Sequence, residues 1–471
     1  MGPGRFGSRG GNHVNQTDRF VMPGAGSPAR IAFPPIVRQT LPNQAQVWSI
    51  QHDPVPVVTI VLMVPAGSAH DPASSPGMAG VMADLLDEGT ETHDAIGLAE
   101  ALASLGTELS IDVASDVTTF TLSTLSRFME PALALLGDVI MRPRLREDDL
   151  ARVCELRLNR LRQLRSSASA VADRAFLSAT FGTHPYGHGT LGTSAAVSRV
   201  SIDDVRAFHA AAMRPAGATL IIAGAVDPDA VFDAAQRQLG DWLPRVPGSA
   251  PERLPEVPVP PPSNPARVLV LDRPGAPQTE VRVGHMGPSR RDGDYHTLLT
   301  LNALLGGQFS SRINLNLRES RGLTYGARTS FDFRVRSGTF SCDTNVQGDA
   351  TPLVVSEILA EFEAVGGSRP VTPEELDRAK SSITRGYVRQ FETSTQLALA
   401  ASRLATFDLP ADSFDRFVPD VEAVTPASVS AAARANVRAN DSIVVVVGDA
   451  SGWRDKLYSL GRPIEEASIE F

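Results

Sequence analysis

Cysteine is scarce in this sequence of 471 residues, where only Cys154 and Cys342 occur. Two cysteines so far apart exclude a disulfide framework and a cysteine-based zinc site. Long apolar runs are missing as well. Residues 1–30 contain none, so no signal peptide is expected, and the most apolar segment, Val55–Val64, is too short to cross a bilayer. These absences predict a soluble protein without a membrane span, and we expect it in the cytoplasm.

An excess of positive charge is also absent, because the formal net charge is -9. A general nucleic-acid binder needs clustered Lys and Arg, so that class of function is excluded. Hydrophobic residues make up 42% and charged residues 21% of the chain, which is typical of a globular protein. A chain of this length is sufficient for two substantial cores.

A proline-rich stretch at residues 244–265 divides the chain into two portions of similar length. Such a composition favours an extended connector without regular structure. We therefore predict an unassigned segment at 1–30, a first domain at 31–243, a linker at 244–265 and a second domain at 266–471.

The two portions resemble each other. Ser201–Asp227 and Thr425–Asp449 each show a capped amphipathic helix, a polar turn and a buried apolar strand. Val205 and Val429 fall on matching steps, and Gly224 and Gly448 close the two strands. The pattern predicts an α+β chain of two homologous halves, each a mainly antiparallel sheet with helices packed on one face.

The segment Val64–Thr90 has a strand that ends at Gly67-Ser68, a loop, and a helix that begins near Gly77 and ends before Gly89. This frame resembles the insulinase or pitrilysin family of zinc peptidases (inverzincins), in particular the mitochondrial-processing-peptidase type. That family has a Gly-x-Ala-His-x-x-Glu-His helix followed by Gly-Thr. Two imidazoles one helical turn apart grip zinc, and the Glu between them acts as general base.

The residues for this chemistry are missing. Gly80 stands at the family's first His, Ala83 at its Glu and Asp84 at its second His. The third ligand, a Glu on a later helix, falls near Arg160, in a helix at Leu150–Arg165 with several other arginines. Cations there repel zinc, so we expect no metal in this chain and no activity of the chain alone.

Each replacement also has a plain structural interpretation, which we favour: Gly80 as a packing residue and Asp84 as a solvated helix residue. A hard-cation site made of Asp84, Asp87 and Glu88 is rejected, because adjacent helix positions do not supply converging oxygens. His184 and His188 flank a Pro-Tyr-Gly sequence that also resembles the family, and we interpret both as structural.

The segment Leu301–Tyr325 is similar to the family's C-terminal half, which carries an Arg/Tyr pair; the matching positions are Arg318 and Tyr325. The resemblance implies that the pair holds substrate near the scissile bond. A guanidinium suits a peptide carbonyl and a phenol suits a developing oxyanion. The alternative is a helix-end cation and a core-edge aromatic.

Three further residues are candidates for substrate contact. Gly306 and Gly307 resemble a shortened form of the glycine-rich loop of the processing peptidase's non-catalytic subunit, although a plain turn explains a glycine pair equally well. Arg321 is a weaker candidate for the role of Arg318.

The resemblance implies a non-zinc subunit of a heterodimeric zinc metalloendopeptidase. Such a subunit binds peptide and donates Arg318 and Tyr325 in trans to a homologous partner that carries the zinc. Two alternatives remain open, namely a non-catalytic assembly subunit and a peptide-binding module that adds a strand to a sheet edge. A homodimer is also open, and the sequence does not disclose the substrate, its cleavage preference or the pathway.

Overall fold

The computed structural model describes residues 32–242, 254–261 and 265–468. Its strands are β1 (Ile36–Thr40), β2 (Gln46–Gln51), β3 (Val57–Val64), β4 (Ser110–Val113), β5 (Thr118–Leu125), β6 (Thr219–Gly224), β7 (Val268–Asp272), β8 (Gln278–Gly287), β9 (Ala327–Asp332), β10 (Gly338–Gln347), β11 (Ile443–Gly448) and β12 (Ile464–Glu466).

Helices occupy most of the remaining chain. They are α1 (Met78–Leu86), α2 (Ala95–Ser104), α3 (Met129–Met141), α4 (Glu147–Ser166), α5 (Ala168–Phe181), α6 (Ser194–Val197), α7 (Ile202–Ala212), α8 (Pro228–Leu239), α9 (Tyr295–Leu305), α10 (Arg312–Asn314), α11 (Thr351–Gly366), α12 (Pro373–Thr384), α13 (Ser394–Phe407), α14 (Ser413–Glu422) and α15 (Pro426–Asn436). A π-helical turn, Leu315–Ser320, continues α10.

The strands form two six-stranded sheets, one in each half of the chain. The first has the order β1-β2-β6-β3-β5-β4, in which only β2 and β6 run parallel. The second has the order β12-β7-β11-β8-β10-β9, in which β12, β7 and β11 run parallel and the other pairs antiparallel. The predicted α+β class with two mainly antiparallel sheets is confirmed.

Alternating side chains give each sheet two buried faces. On the first sheet, Val58, Ile60 and Leu62 of β3 pack with the helices of their own half, as predicted. The intervening Val61 faces the other way and packs with α13, which belongs to the second half.

The second sheet is covered in the same reciprocal manner. Val444 and Val446 of β11 pack with helices of the second half, whereas Val445 lies against Phe176 of α5, which belongs to the first half. Each half therefore covers one face of the other half's sheet with a helix, which the sequence analysis did not foresee.

The predicted helix-turn-strand repeat is confirmed. Ser201 caps α7 and Thr425 caps α15 through reciprocal hydrogen bonds three residues along, which satisfy helix-end N–H groups. Val205 and Val429 are fully buried on the two helices, and the following strands β6 and β11 are buried along their whole length.

Residues 254–261 of the predicted linker contain neither helix nor strand. The rest of the linker, except Pro265, and the N-terminal segment lie outside the described residues, so the domain boundaries stay a prediction. No helix among the described residues is both long and apolar enough to span a membrane.

Candidate functional site

Helix α1 begins beside a buried carboxylate. Asp71 accepts hydrogen bonds from the backbone N–H groups of Gly77 (2.6 Å) and Ala79 (2.7 Å), which satisfies two donors that the helix cannot pair itself. Gly77 has φ +100°, and a Cβ there would lie 2.7 Å from the Cα of Gly192. The entry into α1 therefore has a single, tightly packed geometry.

The positions that match the zinc ligands of the resembled family lie together, but their space is filled by another side chain. Arg157 of α4 lies against α1, and its Nη1 is 2.5 Å from Oδ2 of Asp84. Its Nη2 donates to the carbonyl oxygen of Thr190 at 2.7 Å. A Cβ on Gly80 would overlap this guanidinium, so the glycine makes room for Arg157.

The residue of α4 that pairs with Asp84 is Arg157 and not Arg160, the position near which the resemblance places the third ligand. Arg160 is exposed on α4, whereas Arg157, three residues earlier, is buried. Arginines recur along this helix, so their spacing alone did not show which of them faces α1.

Zinc does not fit this arrangement. Gly80 and Ala83 offer no ligand atom, and the carboxylate of Asp84 is neutralised by a cation that occupies the adjoining space. Within the described ranges, no group of three or more His, Cys, Asp or Glu side chains is arranged to hold a metal. Glu88, considered above as an oxygen ligand, pairs with Arg152.

A cleft with several charged residues in its wall adjoins this position. It has a volume of about 540 Å³ and lies between the halves, with Asp116 and His188 from the first half and Arg334 and Arg403 from the second in its wall. Nδ1 of His188 lies 3.8 Å from Oδ2 of Asp71. His188, interpreted above as structural, therefore faces a cavity.

Burial dominates the protonation of this cluster. Desolvation raises the pKa of Asp71 to about 7, against its two backbone hydrogen bonds and the positive charge of Arg157. Desolvation also lowers the pKa of His188, so the imidazole is held neutral. His184 is buried, accepts from the backbone N–H of Tyr186 at 3.1 Å and lies 3.0 Å from the carbonyl oxygen of Pro258, a structural role.

In the second half, the structure brings Arg318 and Tyr325 together. The Arg318 guanidinium carbon lies 5.7 Å from the centroid of the Tyr325 ring and 3.4 Å from that of Phe309. Tyr325 is 85% exposed and Phe309 61% exposed. The interpretation of Tyr325 as a core-edge aromatic is therefore wrong. We call Arg318, Tyr325 and Phe309 the arginine–tyrosine patch.

One donor of this patch is unused. Nη1 of Arg318 is buried and has no hydrogen-bond partner in the described part of the chain, while Nη2 lies 3.4 Å from the carboxylate of Glu319. A buried donor without an acceptor costs free energy, which an incoming carbonyl oxygen would recover.

The glycine pair packs tightly. A Cβ on Gly306 would lie 2.7 Å from the backbone N of Thr329, and one on Gly307 would lie 2.9 Å from the carbonyl oxygen of Asn302. This close approach requires glycine at both positions and supports the plain-turn interpretation, although the same loop continues to Phe309. Arg321 faces elsewhere and forms an ion pair with Glu357 at 2.8 Å.

Sequence reasoning missed Arg157, Asp71 and Phe309. Asp71 carried a detectable signal, because an acidic residue shortly before a helix is a potential cap. Phe309 follows the glycine pair directly, but an isolated phenylalanine carries no sequence signal for an exposed position.

Comparison with known proteins relates both halves to one family. The sequence model described as insulinase (peptidase family M16) matches residues 46–194, and the model described as peptidase M16 inactive domain matches residues 199–383. An uncharacterized zinc protease of Mycobacterium leprae is 29% identical over 363 residues, which cover 76% of this chain and 80% of that relative.

Two further likenesses involve proteins described as inactive. A non-peptidase homolog of Helicobacter pylori is 22% identical over 417 residues, which cover 86% of this chain and 93% of the homolog. The crystal structure of a peptidase M16 inactive domain from Pseudomonas fluorescens has a TM-score of 0.80 at 22% identity, and the match covers 88% of this chain and 98% of that one. The latter shows a shared fold.

Proposed function

The chain belongs to the insulinase (M16) family of peptidases, and we propose that it is the non-zinc subunit of a heterodimeric zinc metalloendopeptidase. In this proposal it binds peptide and donates Arg318 and Tyr325 to the active site of a homologous partner. Zinc is expected in the partner and not in this chain.

The observation that carries the proposal is a contrast between two positions. The place of the metal ligands is closed by the ion pair of Arg157 with Asp84, whereas the arginine–tyrosine patch is left open. A tyrosine that is 85% exposed contributes little to the core. Its exposure beside the guanidinium of Arg318 suits contact with another molecule.

The chemistry of the patch fits peptide hydrolysis carried out by the partner. The free Nη1 of Arg318 would donate to a carbonyl oxygen of the bound peptide and fix its position. The Tyr325 hydroxyl would donate to the oxyanion that develops when water attacks. Removal of one such donor costs about 2.7–4 kcal/mol of transition-state stabilisation.

Other residues would have lesser roles. The backbone at Gly306 and Gly307 would hold Phe309 against Arg318, so that the loop forms one side of the peptide-binding surface. Arg321 would contact substrate only after its ion pair with Glu357 opens.

The test is a reconstitution with the zinc-bearing homologue encoded in the same genome. The two chains are purified separately and mixed, and peptide cleavage and zinc content are measured for each chain and for the mixture. We expect cleavage only in the mixture. Tyr325→Phe and Arg318→Ala should each lower kcat by roughly a hundredfold while the complex still forms.

A matched control is Tyr458→Phe, because Tyr458 is also exposed (64%) but lies outside the patch. Normal turnover by both patch variants would exclude the donation of Arg318 and Tyr325. A stable complex that lacks cleavage would favour the assembly subunit, and peptide capture without any partner would favour the peptide-binding module.

A homodimer would appear when this chain alone is sized in solution, and the cytoplasmic location is tested by cell fractionation.

A further inference from the structure

The second half contains a cavity that the proposed function does not use. It has a volume of about 780 Å³ and lies among α9, α12, α13, α14 and the segment that follows β8. This volume is in the usual range for sites that bind small ligands. Its walls are unusually aromatic: Tyr295, Phe333, Tyr387, Phe391, Phe407 and Phe414.

Arginine is the main charged residue of this cavity. Four arginines line it in a chain whose net charge is -9. Two of them are engaged by the protein. Nη2 of Arg416 lies 3.6 Å from Asp420, and Nε of Arg291 donates to the carbonyl oxygen of Phe407 at 2.9 Å. The carboxylate of Asp420 also lies 3.7 Å from His296, so it has two partners, Arg416 and His296.

The other two cations, Arg290 and Arg403, have no carboxylate partner. Among the described residues, neither guanidinium has a carboxylate oxygen within 4.0 Å. Arg290 stacks on Tyr295, with its guanidinium carbon 3.3 Å from the ring centroid. Nε of Arg403 makes only a 3.5 Å contact with the carbonyl oxygen of Leu399 in its own helix.

These two cations and the phenol of Tyr387 line the same cavity. Desolvation lowers the pKa of Arg290, and the charge of Arg403 lowers it further. Burial raises the pKa of Tyr387, and the same two arginines act against that increase. No hydrogen bond engages the Tyr387 hydroxyl within the described ranges. Like charges in a partly desolvated space repel, so an anion between them would be stabilising.

We propose that this cavity binds the free C-terminal carboxylate of a peptide that ends in a bulky apolar side chain. Arg290, Arg403 and the Tyr387 hydroxyl would donate to the two carboxylate oxygens. The terminal side chain would pack on the rings of Phe407 and Phe414. A single carboxylate has two oxygens and can accept hydrogen bonds from all three groups.

A peptide is favoured over a small acid because the cavity adjoins the cleft between the halves. The two spaces share Phe333, Arg403 and Phe407 in their walls. A chain that lies in the cleft can therefore end in the cavity. This choice of a peptide rests on the proposed function, whereas the preference for a carboxylate rests on the arginines alone.

Calorimetry on the full isolated chain tests the inference without the partner. The probes are the tetrapeptide acetyl-Ala-Ala-Ala-Phe with a free carboxylate, its C-terminal amide, its counterpart ending in Ala, and 3-phenylpropionate. We expect the free acid ending in Phe to bind best and the amide to bind roughly tenfold or more weakly, because a charged hydrogen bond is lost. The Ala-ended acid should also bind more weakly.

Arg290→Gln and Arg403→Gln should each weaken binding of the free acid by roughly tenfold and abolish the preference over the amide. Arg385→Gln is the control, because Arg385 is exposed in the same half but does not line the cavity. Thermal unfolding of each variant confirms that it is folded.

Equal affinity for acid and amide, or unchanged binding by both cavity variants, would overturn the carboxylate site. Binding of 3-phenylpropionate as tight as that of the tetrapeptide would overturn the choice of a peptide. Because no partner is present, these results are independent of whether Arg318 and Tyr325 contribute to cleavage in the mixed complex.

Discussion

The two halves share a strand order but differ at the positions compared with the family's functional residues. Strands β2, β6, β3, β5 and β4 of the first sheet correspond in order to β7, β11, β8, β10 and β9 of the second. In the first half, the buried Arg157 fills the place of the absent ligands and pairs with Asp84. In the second half, Tyr325 stays exposed. Each of the two arginines keeps one buried nitrogen without a partner among the described residues, Nε of Arg157 and Nη1 of Arg318.

Under the proposed function, this difference distinguishes a lost site from a retained one. A position released from its chemistry is free to acquire contacts that stabilise the fold, and Arg157 has done so with Asp84 and Thr190. A position that still serves another molecule keeps exposed groups at some cost in stability. The largest effect on folding is therefore expected in the first half and the smallest in the second.

Replacing Arg157 with Ala should have the largest effect on stability. The substitution removes a buried cation and leaves the carbonyl of Thr190 and the carboxylate of Asp84 without their donor. Breaking such a pair costs about 3–5 kcal/mol, and we expect about 3 because Asp84 is 47% exposed and partly solvated. Urea unfolding followed by circular dichroism measures the loss.

The control is Arg160→Ala, at the exposed position one turn along α4. A surface change of this kind is expected to stay within about 0.5 kcal/mol. Equal losses of unfolding free energy for the two variants would mean that the ion pair of Arg157 with Asp84 does not stabilise the fold. The contrast between the halves would then fail.

A second effect concerns the pH dependence that Asp71 contributes. Its pKa is raised from 3.8 to about 7 in the folded chain, mainly by desolvation. Between these values the folded state keeps a proton that the unfolded state releases, so stability falls as pH rises from about 4 to 7. The contribution is complete below the unfolded pKa and lost above the folded one. Each pH unit in this window costs up to about 1.4 kcal/mol.

Asp71→Asn removes this titration and should flatten the decline, although its starting stability changes as well. The measurement is the free energy of unfolding at several pH values from 4 to 8 for both proteins. Asp148→Asn, at a side chain that is 92% exposed, should leave the slope as it is. Parallel curves for Asp71→Asn and the unchanged protein would contradict the raised pKa.

Much of the fold was predictable because it depends on local patterns. The apolar stripe of α1 and the alternation of β3 gave the correct elements, and all of Met78, Val81 and Leu85 are buried. The reciprocal covering of the sheets by α5 and α13 was not predictable. An amphipathic helix shows that it has an apolar face, but its sequence does not show which sheet that face covers.

The site divides in the same way. The resemblance of one helix to the family motif was enough to compare Gly80, Ala83 and Asp84 with the zinc ligands and the general base, and that assignment stays a prediction. Arg157 could not be predicted, because its contact with Asp84 spans 73 positions along the chain and several arginines of α4 competed for it. The proximity of Arg318 and Tyr325 agreed with the sequence, whereas their contact with Phe309 depends on how the glycine loop folds back.

The smallest effect on folding should come from the arginine–tyrosine patch. Tyr325→Ala removes a side chain that is 85% exposed, and an exposed cation–π contact is worth about 0.5–1 kcal/mol at short distance. Because the ring centroid of Tyr325 lies 5.7 Å from the guanidinium carbon, we expect a loss below about 0.5 kcal/mol in the urea experiment. A loss comparable to that of Arg157→Ala would make Tyr325 a structural residue and remove the contrast between the halves. If Tyr325→Ala does not change the stability of the fold, unfolding cannot explain a loss of turnover in the mixed complex. That loss would then be assigned to the contact of Tyr325 with substrate or partner.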